Sequence, residues 1–208
     1  MSTSTGKSHW GEWLAWGISL LAHPIFIPFY AVLLYFYLSP YYYYDFAKIL
    51  KLIFIQAILV PFILLYLLFH LKILRSFFLS SVRARLYFSF FMAIIYFTLH
   101  RSVAGIASLD ELSVFFLGIA VSLLIAGLFN LTGRRISLHL LAMGGTLIFF
   151  GYWSWIHRHN ILDILSIMVG LTGLLAVARY ALRAHTLTEL ALGWLSGMAG
   201  MGIAIWLH

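Results

Sequence analysis

Residues able to handle protons and anions crowd into the stretch ARYALRAHTLTE, residues 178–189, where Arg179, Arg183, His185 and Glu189 stand between two long apolar runs. His185 and Glu189 are spaced i,i+4, so on a helix they share a face and the carboxylate accepts the imidazole Nδ1 proton. That leaves Nε2 with its lone pair, as a nucleophile or a base. A second cluster, GRRISLHLLAMGG at 133–145, sets Arg134, Arg135, Ser137 and His139 at the start of another apolar run. A helix beginning there turns unpaired N–H groups outward and favours anions, so Ser137 and His139 stand where a phosphate would be held. Lys72, Arg75, Arg83 and Arg85 make a third basic group.

These residues resemble the signature of the phosphatidic acid phosphatase type 2 superfamily, membrane-embedded phosphatases of lipid phosphates and polyprenyl diphosphates. Its motifs are K-x6-R-P, P-S-G-H and S-R-x5-H-x3-D. The third reads here Ala178-Arg179-x5-His185-x3-Glu189, with Ala for Ser and Glu for Asp. The second reads Ile136-Ser137-Leu138-His139 and lacks the proline and glycine. In the first, Arg85 matches the arginine, while Phe78 stands at the lysine position and Leu86 at that of the proline. The strings RISLHLLAMGG and ARYALRAHTLTELALGWLSG are similar to a bacterial branch with loosened motifs, and the likeness runs from about residue 72 to 200.

The resemblance implies a core over 72–208, preceded by an N-terminal helical hairpin over 1–71. It implies a phosphatase of the bacterial cytoplasmic membrane that uses no metal or other cofactor. His185, oriented by Glu189, would attack phosphorus to give a phosphohistidine, His139 would protonate the leaving alkoxide, and water would hydrolyse the intermediate. Arg179, Ser137 and Arg85 would clasp the phosphate oxygens. The missing first-motif lysine motivates the alternative, a non-catalytic lipid-binding or transport protein on a degenerate scaffold.

The elements that must position these residues follow from composition. The 208 residues are 63% hydrophobic and 9% charged, with a mean hydropathy of +1.01, unlike the roughly one-quarter charged content of soluble domains. The class is all-α, a polytopic transmembrane helical bundle in a single membrane domain. Apolar runs predict seven spans, at 13–38, 46–70, 86–104, 112–132, 139–156, 161–180 and 187–207, the third resting on a short run, LYFSFFMAIIYFTLH, that needs part of RSVAGIAS to make a full crossing. Pro24, Pro28 and Pro61 predict kinks. The polar start, MSTSTGKSHWGEW, predicts a retained first helix rather than a cleaved signal. Tyr41 to Tyr44, with Trp10, Trp13, Trp153 and Trp155, read as head-group belts.

Seven crossings put the three basic clusters on one face. That face then carries nine of the 13 Lys and Arg: Lys7, Lys72, Arg75, Arg83, Arg85, Arg134, Arg135, Arg179 and Arg183. The bias reads as cytoplasmic, but an anion site would gather the same arginines, so sidedness stays open. Most of the remaining ionisable groups have ordinary readings. His9, His70, His100, His157, His159 and His208 fit polar belts, His23 is a site candidate as an ionisable group inside a span but fits first a hydrogen bond to a neighbouring helix, and Arg83, Arg134, Arg135 and Arg183 fit snorkelling to head groups. Gly193, Gly197 and Gly200 predict close helix packing. With no cysteine there is no disulfide framework, and no P-loop, dinucleotide or nucleic-acid signature is present. The net charge of +7 fits lipid phosphate and membrane lipids as partners.

Overall fold

The computed structural model describes residues 9–39, 46–72 and 82–208. Lys7, Arg75, Phe78 and the tyrosines at 41–44 lie outside them. Among the described residues there is no strand. The helices are α1 (His9–Leu21), α2 (Ile27–Leu38), α3 (Phe46–Phe54), α4 (Val60–His70), α5 (Val82–Val103), α6 (Asp110–Leu131), α7 (Leu138–His157), α8 (Leu162–Ala181) and α9 (Leu187–Leu207).

Five segments are long and apolar enough to cross a membrane: Phe46–His70, Arg85–Val103, Asp110–Leu131, Leu162–Ala181 and Leu187–Leu207. By length and composition this is a multi-pass membrane protein. The five ends lie close to those read from the apolar runs. Helix α7 has 20 residues, about the length of a bilayer core at ~1.5 Å per residue, but is less apolar. Its small and polar positions, among them His139, Gly144, Gly145 and Thr146, are buried inside the bundle. A central helix meets neighbours rather than lipid, so close backbone approach matters more there than hydropathy.

The expected first crossing over 13–38 is instead two short helices, of 13 and 12 residues. Pro24 has no N–H and disfavours helical backbone at His23 before it, so α1 stops at Leu21 and the chain turns before Ile27. Pro28 falls in the first turn of α2, where no intrahelical donor is needed. Pro61 is accommodated differently. A π turn over Ile55–Leu59 joins α3 to α4 in one rod, and the N–H of Val60 donates to the Ile55 carbonyl.

The bundle centre is α6, α7 and α9, with α5 along α6, α8 against α7, and α1 and α2 on α8 and α7 respectively. Glycines set the α7–α9 and α6–α9 distances. A Cβ on Gly193 would strike the Ser137 backbone, one on Gly197 the Leu141 carbonyl and one on Gly200 Ser122. Reciprocally, a Cβ on Gly144 would meet the Trp194 carbonyl. The Ser122 hydroxyl donates to the Gly118 carbonyl at 2.7 Å and reaches the Gly197 carbonyl at 3.3 Å. Fully buried Tyr35, Phe115, Phe149, Phe150 and Trp153 fill the other end. Two histidines read as belt residues are interhelical ties there: His157 lies 2.8 Å from Glu111 Oε1, and His100 Nδ1 lies 2.8 Å from Ser113 Oγ.

Candidate active site

The turn between α8 and α9 is built from two complementary caps. At the end of α8, Arg183 takes a left-handed conformation (φ 52°), its N–H donates to the Tyr180 carbonyl at 2.9 Å, and the Ala184 N–H donates to the Arg179 carbonyl at 3.1 Å. This double bond pattern closes a helix C-terminus within one turn. Helix α9 then opens with a capping box. The Glu189 N–H donates to Thr186 Oγ1 at 3.3 Å, and the Thr186 N–H donates to Glu189 Oε2 at 3.1 Å. Between the caps sits His185, buried, with Nδ1 3.0 Å from Glu189 Oε2. A carboxylate only accepts, so Nδ1 carries the proton and Nε2 keeps its lone pair. Arg135 approaches the same carboxylate, Nε to Oε1 3.5 Å.

Burial pushes the His185 imidazole down to about 4, against the opposing hydrogen bond and charge of Glu189, and the Arg85 and Arg179 charges push the same way as burial. The ring is therefore neutral near pH 7. That is the protonation state a nitrogen nucleophile requires.

The start of α7 is fastened to the same turn. The Ser137 N–H donates to the Glu189 carbonyl at 3.1 Å, an approach that Gly193 permits by having no side chain. Ser137 is fully buried as the α7 N-cap, and its Oγ accepts from the Leu140 N–H at 3.5 Å. His139, two residues on, places Nε2 3.3 Å from the Ser19 carbonyl of α1, so that nitrogen is the donor. In the break between α1 and α2, His23 Nδ1 accepts from the Ile25 N–H at 3.3 Å. The His23 and His139 rings meet edge to face, with centroids 5.6 Å apart.

These groups enclose a cavity of about 930 Å³. Its polar part holds His23, Arg85, Arg135, His139, Arg179 and His185, and its apolar wall includes Trp16, Leu20, Phe62, Ile63, Tyr66 and Phe88. Arg85 lies within electrostatic range of Arg135, Arg179 and Glu189. The Arg179 Nε is buried with no hydrogen-bond partner among the described residues. Three guanidinium groups lining one space favour an anion between them, and the apolar wall suits a hydrocarbon attached to it.

Of the residues singled out in the sequence, His185, His139, Arg179 and Arg85 line this cavity, and Glu189 stands behind His185. Ser137 does not line it; its hydroxyl serves the helix start. Lys72 ends α4 in a left-handed conformation (φ 58°) and does not line the cavity. Two features escaped the sequence reading: Arg135 holds the carboxylate as well as facing the cavity, and Thr186-x-x-Glu189 is a capping box whose spacing was legible. His23, a site candidate in the sequence but read first as a tie to a neighbouring helix, joins the cavity lining from a chain break. Among the described residues no group of three or more His, Asp or Glu is arranged to hold a metal. No family model, curated protein or solved structure matches the chain.

Proposed function

We propose that the protein is a membrane phosphatase of the phosphatidic acid phosphatase type 2 kind, in a bacterial cytoplasmic membrane, acting on a lipid phosphate or polyprenyl diphosphate. The observation that carries the reading is the meeting of a carboxylate-oriented, neutral His185 with His139, Arg85 and Arg179 in one cavity that also has an apolar wall. His185 Nε2 attacks phosphorus, the bond from phosphorus to the lipid oxygen breaks, and that oxygen leaves with the proton of the bound phosphate monoanion, relayed through His139 Nδ1 while Nε2 stays on Ser19. Water then attacks the phosphohistidine, the P–N bond breaks, and dihydrogen phosphate leaves carrying both water protons, with the His185 lone pair restored and His139 neutral as at the start. Arg85 and Arg179 balance the charge on the phosphoryl oxygens, the larger part of catalysis in such transfers.

The test is phosphate release from a panel of lipid phosphates and diphosphates by detergent-purified protein, with chelator present, beside His185→Ala and His139→Ala. Turnover by the wild type that falls by about 100-fold or more in each variant is the expected result. A wild type that binds these lipids yet turns over none of them would replace this reading with a lipid-binding or transport role.

A further inference from the structure

The break at 22–26 brings a third histidine to the cavity, beside His139 and His185. His23 uses one ring nitrogen locally: Nδ1 accepts from the Ile25 N–H, which fixes the neutral tautomer with the proton on Nε2. That second nitrogen has no hydrogen-bond partner among the described residues, and the ring borders the cavity beside His139. A local cap needs only an acceptor, which Asn, Asp or Ser supplies more compactly. What histidine adds is an N–H on the far side of the ring, held in place by the near side. Among three guanidinium groups, a neutral donor gains a directed bond to an anion without adding repulsion.

The geometry points to His23 as a substrate ligand whose Nε2–H donates to an oxygen of the bound phosphate. The inference rests on the phosphatase reading for its substrate class and adds a residue outside the three motifs. It also bears on the motif lysine, whose position is held by Phe78: the N-terminal segment supplies a donor that the first motif lacks.

Two substitutions separate the ligand role from the cap. In His23→Asn, the side-chain oxygen replaces Nδ1 and keeps the bond from the Ile25 N–H, but the far donor is lost. In His23→Gln, the amide reaches the place of Nε2 and restores the donor. Phosphate release and binding of inorganic phosphate by calorimetry are measured on both, with thermal unfolding as the check on folding. Expected are a KM raised about tenfold with kcat less affected in His23→Asn, phosphate binding weakened to match, and recovery of both in His23→Gln. An active wild type with His23→Asn indistinguishable from it overturns the inference and leaves the phosphatase reading intact. An inactive wild type whose phosphate binding still weakens in His23→Asn sinks the phosphatase reading and upholds His23 as an anion ligand. A wild type that neither turns over lipid phosphate nor binds phosphate overturns both.

Discussion

Glu189 serves two ends with one carboxylate, since Oε2 accepts both from the Thr186 N–H and from His185 Nδ1. The two can be separated by chemistry. Glutamine also completes a capping box, so Glu189→Gln should keep thermal stability near wild type while removing the charge that orients His185, and phosphate release should fall about 100-fold. Glu189→Ala should lose activity and, in addition, about 1 kcal/mol of stability, read from unfolding in detergent. The state of His185 is open to measurement without any substrate. Histidine 15N shifts at pH 7 should show protonated Nδ1 and bare Nε2. Because burial disfavours the charged ring, the signal should begin to move to imidazolium only as pH falls toward about 4 rather than through 6.5. Titration at the ordinary value would mean that the ring is solvated. Residue type and clustering along the chain already singled out His185, His139, Arg179 and Arg85, all of which border the cavity, because ionisable groups at the ends of apolar helices have few other places to face. Ser137 was ambiguous for a physical reason: a helix N-cap and a phosphate ligand at a helix start want the same residue type.

At the level of elements, backbone contacts position the chemistry. Gly197→Ala should destabilise the bundle by about 1–3 kcal/mol, because its new Cβ meets the Leu141 backbone, which has no rotamer to yield. Gly202→Ala is the matched control, with nothing near its Cβ, and should be neutral or mildly stabilising through helix propensity. Arg183 offers the opposite case. It is exposed and left-handed between the two caps, so Arg183→Gly should stabilise by about 1 kcal/mol, seen as a raised unfolding temperature. The long helices were legible because an apolar run of bilayer length has few alternative uses. The break at Pro24 was not, since an unbroken apolar run reads the same whether proline kinks a helix or ends it. His23 was left between a site role and a tie to a neighbouring helix for the same reason, because what the residue faces depends on where the chain turns. Helix α7 was readable as a helix by its length, but its glycines acquire meaning only from Ser137, Trp194 and the partner helix they touch.

For the whole molecule, orientation in the membrane is an open quantity that the charge count does not fix. Arg85, Arg135 and Arg179 face the cavity, so their presence on one face is explained without the positive-inside rule. The sequence has no cysteine, so single-cysteine mapping needs no background removal. Asn160 and Arg183 are exposed and flank α8, and a membrane-impermeant maleimide should label Asn160→Cys and Arg183→Cys from opposite sides of sealed vesicles. Labelling of both from one side would mean that α8 does not cross. The same experiment would state which compartment the cavity opens toward. A different consequence lies in the bond between His139 and Ser19, which joins residues 120 positions apart. Helix α1 completes its contacts only with α7 and α8, so it waits while these are made and inserted. Closing so long a loop is slow, and no nascent chain that stops before His185 contains the whole lining of the pocket. Whatever the cavity does, it does only after α8 and the turn that follows it have joined α1.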